Sequence, residues 1–202
     1  MPATTKRRRV TRAADDRRRD LLDAAVKVFT RQGARGATIA DITEAAGVAK
    51  GTFYLYFRSK EHVLGALRER FVQELMEHAA PFAERIGKAD WWELADEVAR
   101  TMVDWTLEHR DLILLVEKEA YTPETHQMIA ECDRRLTTLM ATGIQAGVEA
   151  GAFHTGDPAL TGSFLYYGVI GTIVQAIVAG EELDRDRLVR AAGECGRKLL
   201  GR

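Results

Sequence analysis

Leu21, Leu22, Ala25, Val26 and Phe29 recur at the three- and four-residue steps of one helix face, and the pattern stops near Gly33. The residues before it, including Lys6, Arg7, Arg8, Arg9 and Arg12, show no apolar period, so residues 1–14 read as a mobile basic arm. Thr38 and Asp41 stand at the spacing of an N-cap and its reciprocal partner, opening a short helix through Ala46. Gly47 supplies a tight turn, and a second short helix covers about Ala49 to Tyr56. Ser59 can cap a long helix from Lys60 that Pro81 should kink or end.

Further starts follow the same grammar. Asp90 with Glu93 opens a helix to about His109, and Asp111 a short one ending near Tyr121. Thr122-Pro123 and Asp157-Pro158 each place a cap before a first-turn proline, for helices reaching Gly151 and Gly180. Asp184 opens the last helix, whose Leu188, Ala192, Cys195 and Leu199 share a face. No stretch alternates like a strand, so the expected fold is all-α with about nine helices.

Charge changes this picture by splitting it. Residues 1–60 carry 14 Lys+Arg against 6 Asp+Glu, while the rest of the chain carries 15 against 24, a contrast hidden by an overall −1. A basic first third suggests a module facing a polyanion. The expected organisation is the arm (1–14), a helix-turn-helix head (15–60) and a helical body (61–202). At 202 residues with 46% hydrophobic and 29% charged composition, the chain can bury a sizeable core, and disorder is excluded. Two cysteines cannot build a disulfide framework or a zinc site by themselves, and the basic start lacks the apolar stretch of a signal peptide, so a cytoplasmic location is expected.

Two short helices about a turn glycine fit a helix-turn-helix, whose second helix enters the major groove. Ile39, Ile42, Ala45, Ala46 and Val48 can bury between the helices, leaving Lys50, Gly51, Thr52, Tyr54 and Tyr56 outside to meet phosphates or base edges. The alternative is an ordinary helical hairpin with a solvated basic face. The stretch from Thr38 to Glu61 (TIADITEAAGVAKGTFYLYFRSKE) resembles the DNA-binding signature of the TetR family, and the similarity extends over about residues 17–65. That resemblance implies an all-helical homodimer whose head binds operator DNA and whose body binds a small ligand that releases it. Carried over by position, Thr38 would meet phosphate, Lys50, Gly51 and Thr52 would face the groove, and Tyr54, Tyr56 and Lys60 would grip phosphates, with Phe53 and Phe57 inside. Ala49 stands where a Ser is frequent, and Leu55 and Tyr56 where an aromatic and a His often occur.

In the body, Trp91, Leu94, Val98, Met102, Trp105 and His109 form one helical stripe. It is either plain core or the wall of an aromatic pocket, to which Tyr121, Met128, Phe153, Tyr166 and Tyr167 could contribute. Such a lining suits a largely hydrophobic, planar effector, with His109 or a Tyr hydroxyl as anchor. Glu117 and Glu119 could counter a cationic ligand, or simply be solvated carboxylates.

Residues 158–180 form a charge-free run, yet Thr161, Ser163, Thr172, Gln175 and four glycines, with acidic flanks, argue against a membrane span and for a helix buried on all sides. Phe164, Gly168, Gly171 and Gln175, with Leu188, Ala192, Cys195 and Leu199, would make a four-helix interface across a two-fold.

The competing class is a helical-bundle enzyme. The chain has no G-x-G-x-x-G, P-loop, G-x-S-x-G, H-E-x-x-H or E-x-x-H, so no catalytic residue, metal or cofactor is expected. A thiol switch at Cys132 or Cys195 is a further idea, against which stands the usual burial of free cysteine.

Overall fold

The computed structural model describes residues 4–118 and 123–201. Among them lie nine α-helices: α1 (Thr4–Gly36), α2 (Ile39–Ala45), α3 (Lys50–Phe53), α4 (Lys60–Arg85), α5 (Trp91–Glu108), α6 (Arg110–Lys118), α7 (Pro123–Glu149), α8 (Pro158–Ala179) and α9 (Arg185–Leu199). Five of the capping residues foreseen are in place, while Asp111 lies inside the first turn of α6 and Thr122 lies outside the described residues. Thr38 and Asp41 close a reciprocal capping box, Ser59 accepts from His62 N, Asp90 from Trp92 N and Glu93 N, Asp157 from Leu160 N, and Asp184 from Arg187 N.

Three expectations are corrected. Residues 4–14 are not an arm detached from the first helix: they continue α1. The residues from 4 to 32 include neither Pro nor Gly, and Lys, Arg and Ala are strong helix formers. The first break comes only at Gly33, whose φ of 72° and ψ of 154° interrupt α1. Of the two outcomes expected at Pro81, a kink or an end, the end does not occur there: α4 runs one turn further, to Arg85. The helix is tied there by Arg85, which donates two bonds to Glu97.

The third correction concerns α8. One face is buried, through Thr161, Gly162, Leu165, Tyr166, Ile173, Ala176 and Ile177. The opposite face is bare: Phe164 is 61% and Tyr167 53% exposed, beside exposed Leu160 and Val178. The helix is long and apolar enough to cross a membrane by length and composition, but its buried half is the body's own core. It meets α7 closely at Gly162, where an added Cβ would lie 3.2 Å from Ala141 N.

The core of the head extends past residue 60. Leu21, Leu22, Val28, Phe29, Ile42, Phe53 and Phe57 share one core with Val63, Leu64, Ala66 and Leu67, so the first two turns of α4 belong to the head. Leu112 and Leu115 of α6 pack against that same core. Leu112 also touches the body cluster of Phe71, Met102 and Trp105. Head and body are thus joined by α4 along its length and by α6 from the side.

Candidate DNA-binding head and effector cavity

The turn between α2 and α3 follows from three features. Gly47 takes φ 66°, a left-handed conformation that a side chain would strain. Val48 N bonds back to Thr43 O at 2.9 Å. Thr43, itself buried, returns its hydroxyl to the Ile39 and Ala40 carbonyls. Phe53 and Phe57 are fully buried with ring centroids 5.7 Å apart, as expected. They fix α3 from beneath, and the outer side presents Lys50, Gly51 and Tyr54 exposed, with Thr52 and Tyr56 half-buried. Ala49 gives α3 no side-chain cap. Leu55, which the sequence reading left without a role, is 79% exposed at the tip of this surface.

Two of the residues assigned to phosphate are otherwise engaged. Thr38 donates both its backbone N–H and its hydroxyl to Asp41 Oδ2, each at 2.8 Å, and accepts from Asp41 N. Those bonds, Thr38's backbone first, hold the Asp41 carboxyl below the usual carboxylate range, with help from Gln32. Lys60 turns inward: its ammonium donates to Ala34 O and Ala37 O at 2.6 Å and to Arg35 O at 3.4 Å. It therefore caps the C-terminal end of α1, where carbonyls lack helical partners. A lysine shortly after a helix pair is as good a cap as a phosphate ligand, and spacing alone does not separate the two.

The body holds a cavity of about 240 Å³ between α4, α5, α7, α8 and α9. Trp91, Met102, Phe153 and Tyr166 line it. Trp92, Phe82 and Met140 line it too, and the sequence reading missed them. Among the described residues its charged walls are Asp96 and Arg197, which pair at 2.5 Å.

Trp105, His109 and Met128 do not line it. Trp105 is 7% exposed and sits in core, its ring 4.0 Å from His109, 4.5 Å from His78 and 5.8 Å from Phe71. The His109 ring nitrogen Nδ1 lies 2.8 Å from Trp105 O. Met128 packs at the head–body junction, its sulfur 2.7 Å from where a Cβ on Gly65 would stand. A helical stripe spans more than one environment, so its upper half faces the cavity and its lower half packs on α4. Tyr121 and Glu119 lie outside the described residues.

A second, more polar cavity of about 210 Å³ shares Tyr166 and Ile170 with the first. Here Arg68 donates to Asp133 Oδ1 at 2.7 Å and to the Tyr166 hydroxyl at 3.3 Å, and that hydroxyl donates to Asp133 at 3.1 Å. Burial pushes the Tyr166 phenol upward, against the pull of Arg68, so it stays a neutral donor.

Of the expected dimer face, Phe164, Gly168 and Gln175 are exposed and Gly171 half-buried, with no described residue within 4 Å of an added Cβ at either glycine. Cys195 and Leu199 are also exposed, but Leu188 and Ala192 pack inside the protomer with Val103, Ile173 and Ile177. Cys132 is buried, and burial raises its thiol away from the reactive thiolate. Among the described residues, no group of three or more His, Cys, Asp or Glu could hold a metal ion.

Comparison with known proteins agrees with this geometry. Residues 21–67 match the family described as bacterial regulatory proteins, tetR family, and residues 88–174 match the tetracyclin repressor-like C-terminal domain. The HTH-type transcriptional regulator YhgD of Bacillus subtilis (strain 168) is 26% identical over 155 residues, 72% of this chain and 76% of that one. The repressor KstR2 of Rhodococcus jostii (strain RHA1) is 37% identical over 65 residues, 32% of each chain. Two solved structures share the fold. A TetR/AcrR-family regulator from Thermobifida fusca YX-ER1 has a TM-score of 0.67 at 24% identity, over 92% of this chain and 97% of that one. FadR from Bacillus subtilis, solved in complex with stearoyl-CoA, has a TM-score of 0.70 at 24% identity, over 90% and 97%. With two family models matching head and body in order, over a fold these regulators share, the chain belongs to the TetR family of transcriptional regulators.

Proposed function

We propose that this regulator is a cytoplasmic repressor that binds a near-palindromic operator as a homodimer, and that a small hydrophobic or aromatic effector filling the 240 Å³ cavity releases it. The observation that carries this reading is the double use of α4. Val63, Leu64, Ala66 and Leu67 are built into the head's core, and Leu75, Ala79, Phe82 and Ala83 of the same helix wall the cavity. An effector that displaces those side chains moves the helix on which the head is mounted, and so alters the spacing of two heads on two half-sites. The bare face of α8, with Phe164, Tyr167, Gly168 and Gly171, supports a two-fold contact with a second copy.

The cavity itself supplies the test. Gly143 lines it, and nothing lies within 4 Å of a Cβ added there, so Gly143→Phe can occupy the space from α7. DNA footprinting upstream of the protein's own coding region provides the operator. Calorimetric titration with 1-aminoanthracene, a flat hydrophobic probe, reads the cavity. Wild type should bind the probe and lose operator affinity as it fills; Gly143→Phe should keep operator binding and lose both responses. A Gly143→Phe protein that still binds the probe and leaves DNA would place the effector elsewhere.

A further inference from the structure

Arg68 stands at the point of α4 where the head ends and the body begins: Leu67 before it is built into the head's core, and Phe71 shortly after it into the body's. Its guanidinium lies 5.2 Å over the Phe71 ring and is tied to two other helices. It donates to Asp133 of α7 at 2.7 Å and to the Tyr166 hydroxyl of α8 at 3.3 Å. That hydroxyl donates onward to Asp133 at 3.1 Å, so α4, α7 and α8 meet in one closed triangle of hydrogen bonds. The triangle is shielded: Tyr166 is 3% exposed, and the Arg68 and Asp133 side chains 16% and 18%. All three residues line the second cavity, and of the three Tyr166 alone also lines the first. Its side chain is thus a partition between an apolar chamber and a polar one.

We propose that Tyr166 is the positioning residue that passes cavity occupancy to the head: its hydroxyl holds Arg68, and with it α4, in the operator-binding orientation until an effector turns its ring aside. The inference rests on the effector-cavity reading and names the contact through which that cavity acts. A guest in the first cavity presses on Tyr166 from one side. On the other side lies a space of about 210 Å³ into which the phenol can turn, whereas a ring packed on both sides could not yield. Turning withdraws the hydroxyl from both of its partners. Arg68 then keeps Asp133 alone, and the crosslink from α8 to α4 is lost. The head feels this directly, because Val63, Leu64, Ala66 and Leu67 occupy the preceding turns of the same helix. The bonds involve charged partners and are largely withdrawn from water, so they favour one placement of α4 more strongly than a solvated surface pair would. The second cavity, on this account, needs no ligand of its own: it is the room that lets the partition move.

Tyr166→Phe keeps the ring and removes only the hydroxyl. In quantitative gel shifts of the full-length protein on its footprinted operator, this variant without any probe should bind about fivefold to tenfold more weakly than wild type. Coupling is reciprocal, so it should bind 1-aminoanthracene tighter by a similar factor, and the probe should then change its operator affinity little. Asp133→Asn, which leaves an amide oxygen to accept from Arg68, should reproduce both shifts. The double variant should be no weaker on the operator than either single one, since both open the same contact. Circular dichroism checks that each variant is folded, and Asp133→Asn carries the test if Tyr166→Phe is not. Operator affinity equal to wild type in both variants, or losses that add in the double variant, overturns the proposal. So does a Tyr166→Phe protein that binds the operator weakly yet is released by the probe as fully as wild type, because the hydroxyl then only supports the fold. In each of these cases wild type still responds to the probe, and the effector-cavity reading stands. Wild type that binds the probe and stays on DNA overturns both.

Discussion

The head and the body solve opposite problems with the same element, the helix. In the head, Phe29, Phe53, Phe57, Ile42, Val63 and Leu67 are all at or near zero exposure and share one uninterrupted core. In the body, buried residues fall into three smaller clusters arranged around an apolar space of about 240 Å³. A surface that must match the major groove needs a rigid floor, because small displacements of α3 break several contacts together. A chamber that must admit a guest needs packing it can give up. Close packing is a choice here, made in one half and withheld in the other.

The sharpest way to break that contrast is to truncate one side chain in each half. Phe53→Ala empties the centre of the head and should cost about 3–5 kcal/mol, enough to abolish DNA binding. Leu139→Ala, on the cavity wall, only enlarges a space that exists, and its cost should be clearly smaller. Urea denaturation of the two variants checks the difference; equal costs would mean that the cavity is filled in solution.

Within the body, two glycines of α7 sharpen it further. A Cβ on Gly147 would lie 2.2 Å from the Phe153 ring, so Gly147→Ala should destabilise by about 1–3 kcal/mol. Gly143, one turn earlier and facing open space, should gain roughly 0.5–1 kcal/mol on replacement by Ala through helix propensity. Opposite shifts in melting temperature are the expected outcome.

In the head, Lys60→Ala removes charged hydrogen bonds to the end of α1 and should lower stability by about 1–2 kcal/mol. The salt dependence of DNA binding should not change. Lys50→Ala should do the reverse, leaving the melting temperature alone and reducing the salt slope by about one phosphate contact. Quantitative gel shifts at several salt concentrations distinguish them.

The smallest effect is a pH dependence at Asp41. Its hydrogen bonds favour the carboxylate in the folded state, so its folded pKa lies below that of the unfolded chain. The stabilisation is complete above about pH 4 and is lost as the pH falls through the folded value. Asp41→Asn should flatten this part of the acid limb of a stability–pH curve.

The head was legible in the sequence because its determinants are local. A capping box, a turn glycine and paired aromatics lie within some twenty residues, and each has a single structural meaning there. The capping bonds of Lys60 were not legible for the complementary reason: its partners, Ala34 and Ala37, lie more than twenty residues back, in a helix end whose direction no local pattern reveals. The body's helices and caps were equally readable, but its cavity was not. Which half of the α5 stripe faces space and which faces α4 depends on how five helices cross, and an apolar period looks the same in both cases. Met128 illustrates this: its place follows from a glycine 63 residues earlier in the chain, Gly65.

The tryptophans inherit this division as an optical instrument. Trp91 and Trp92 stand on the cavity wall with Phe153, 5.6 and 5.0 Å from its ring, whereas Trp105 is sealed in core between two imidazoles. Its indole Nε1 is buried and makes no hydrogen bond among the described residues. An indole without a polar partner emits toward the blue, and stacked imidazoles damp it. On the effector-cavity reading proposed above, the chain thus carries two emitters at the cavity and one in the sealed core. Replacing Trp105 by Phe would leave a protein whose emission comes from the cavity wall; keeping Trp105 and replacing the other two would leave one whose emission comes from the sealed core.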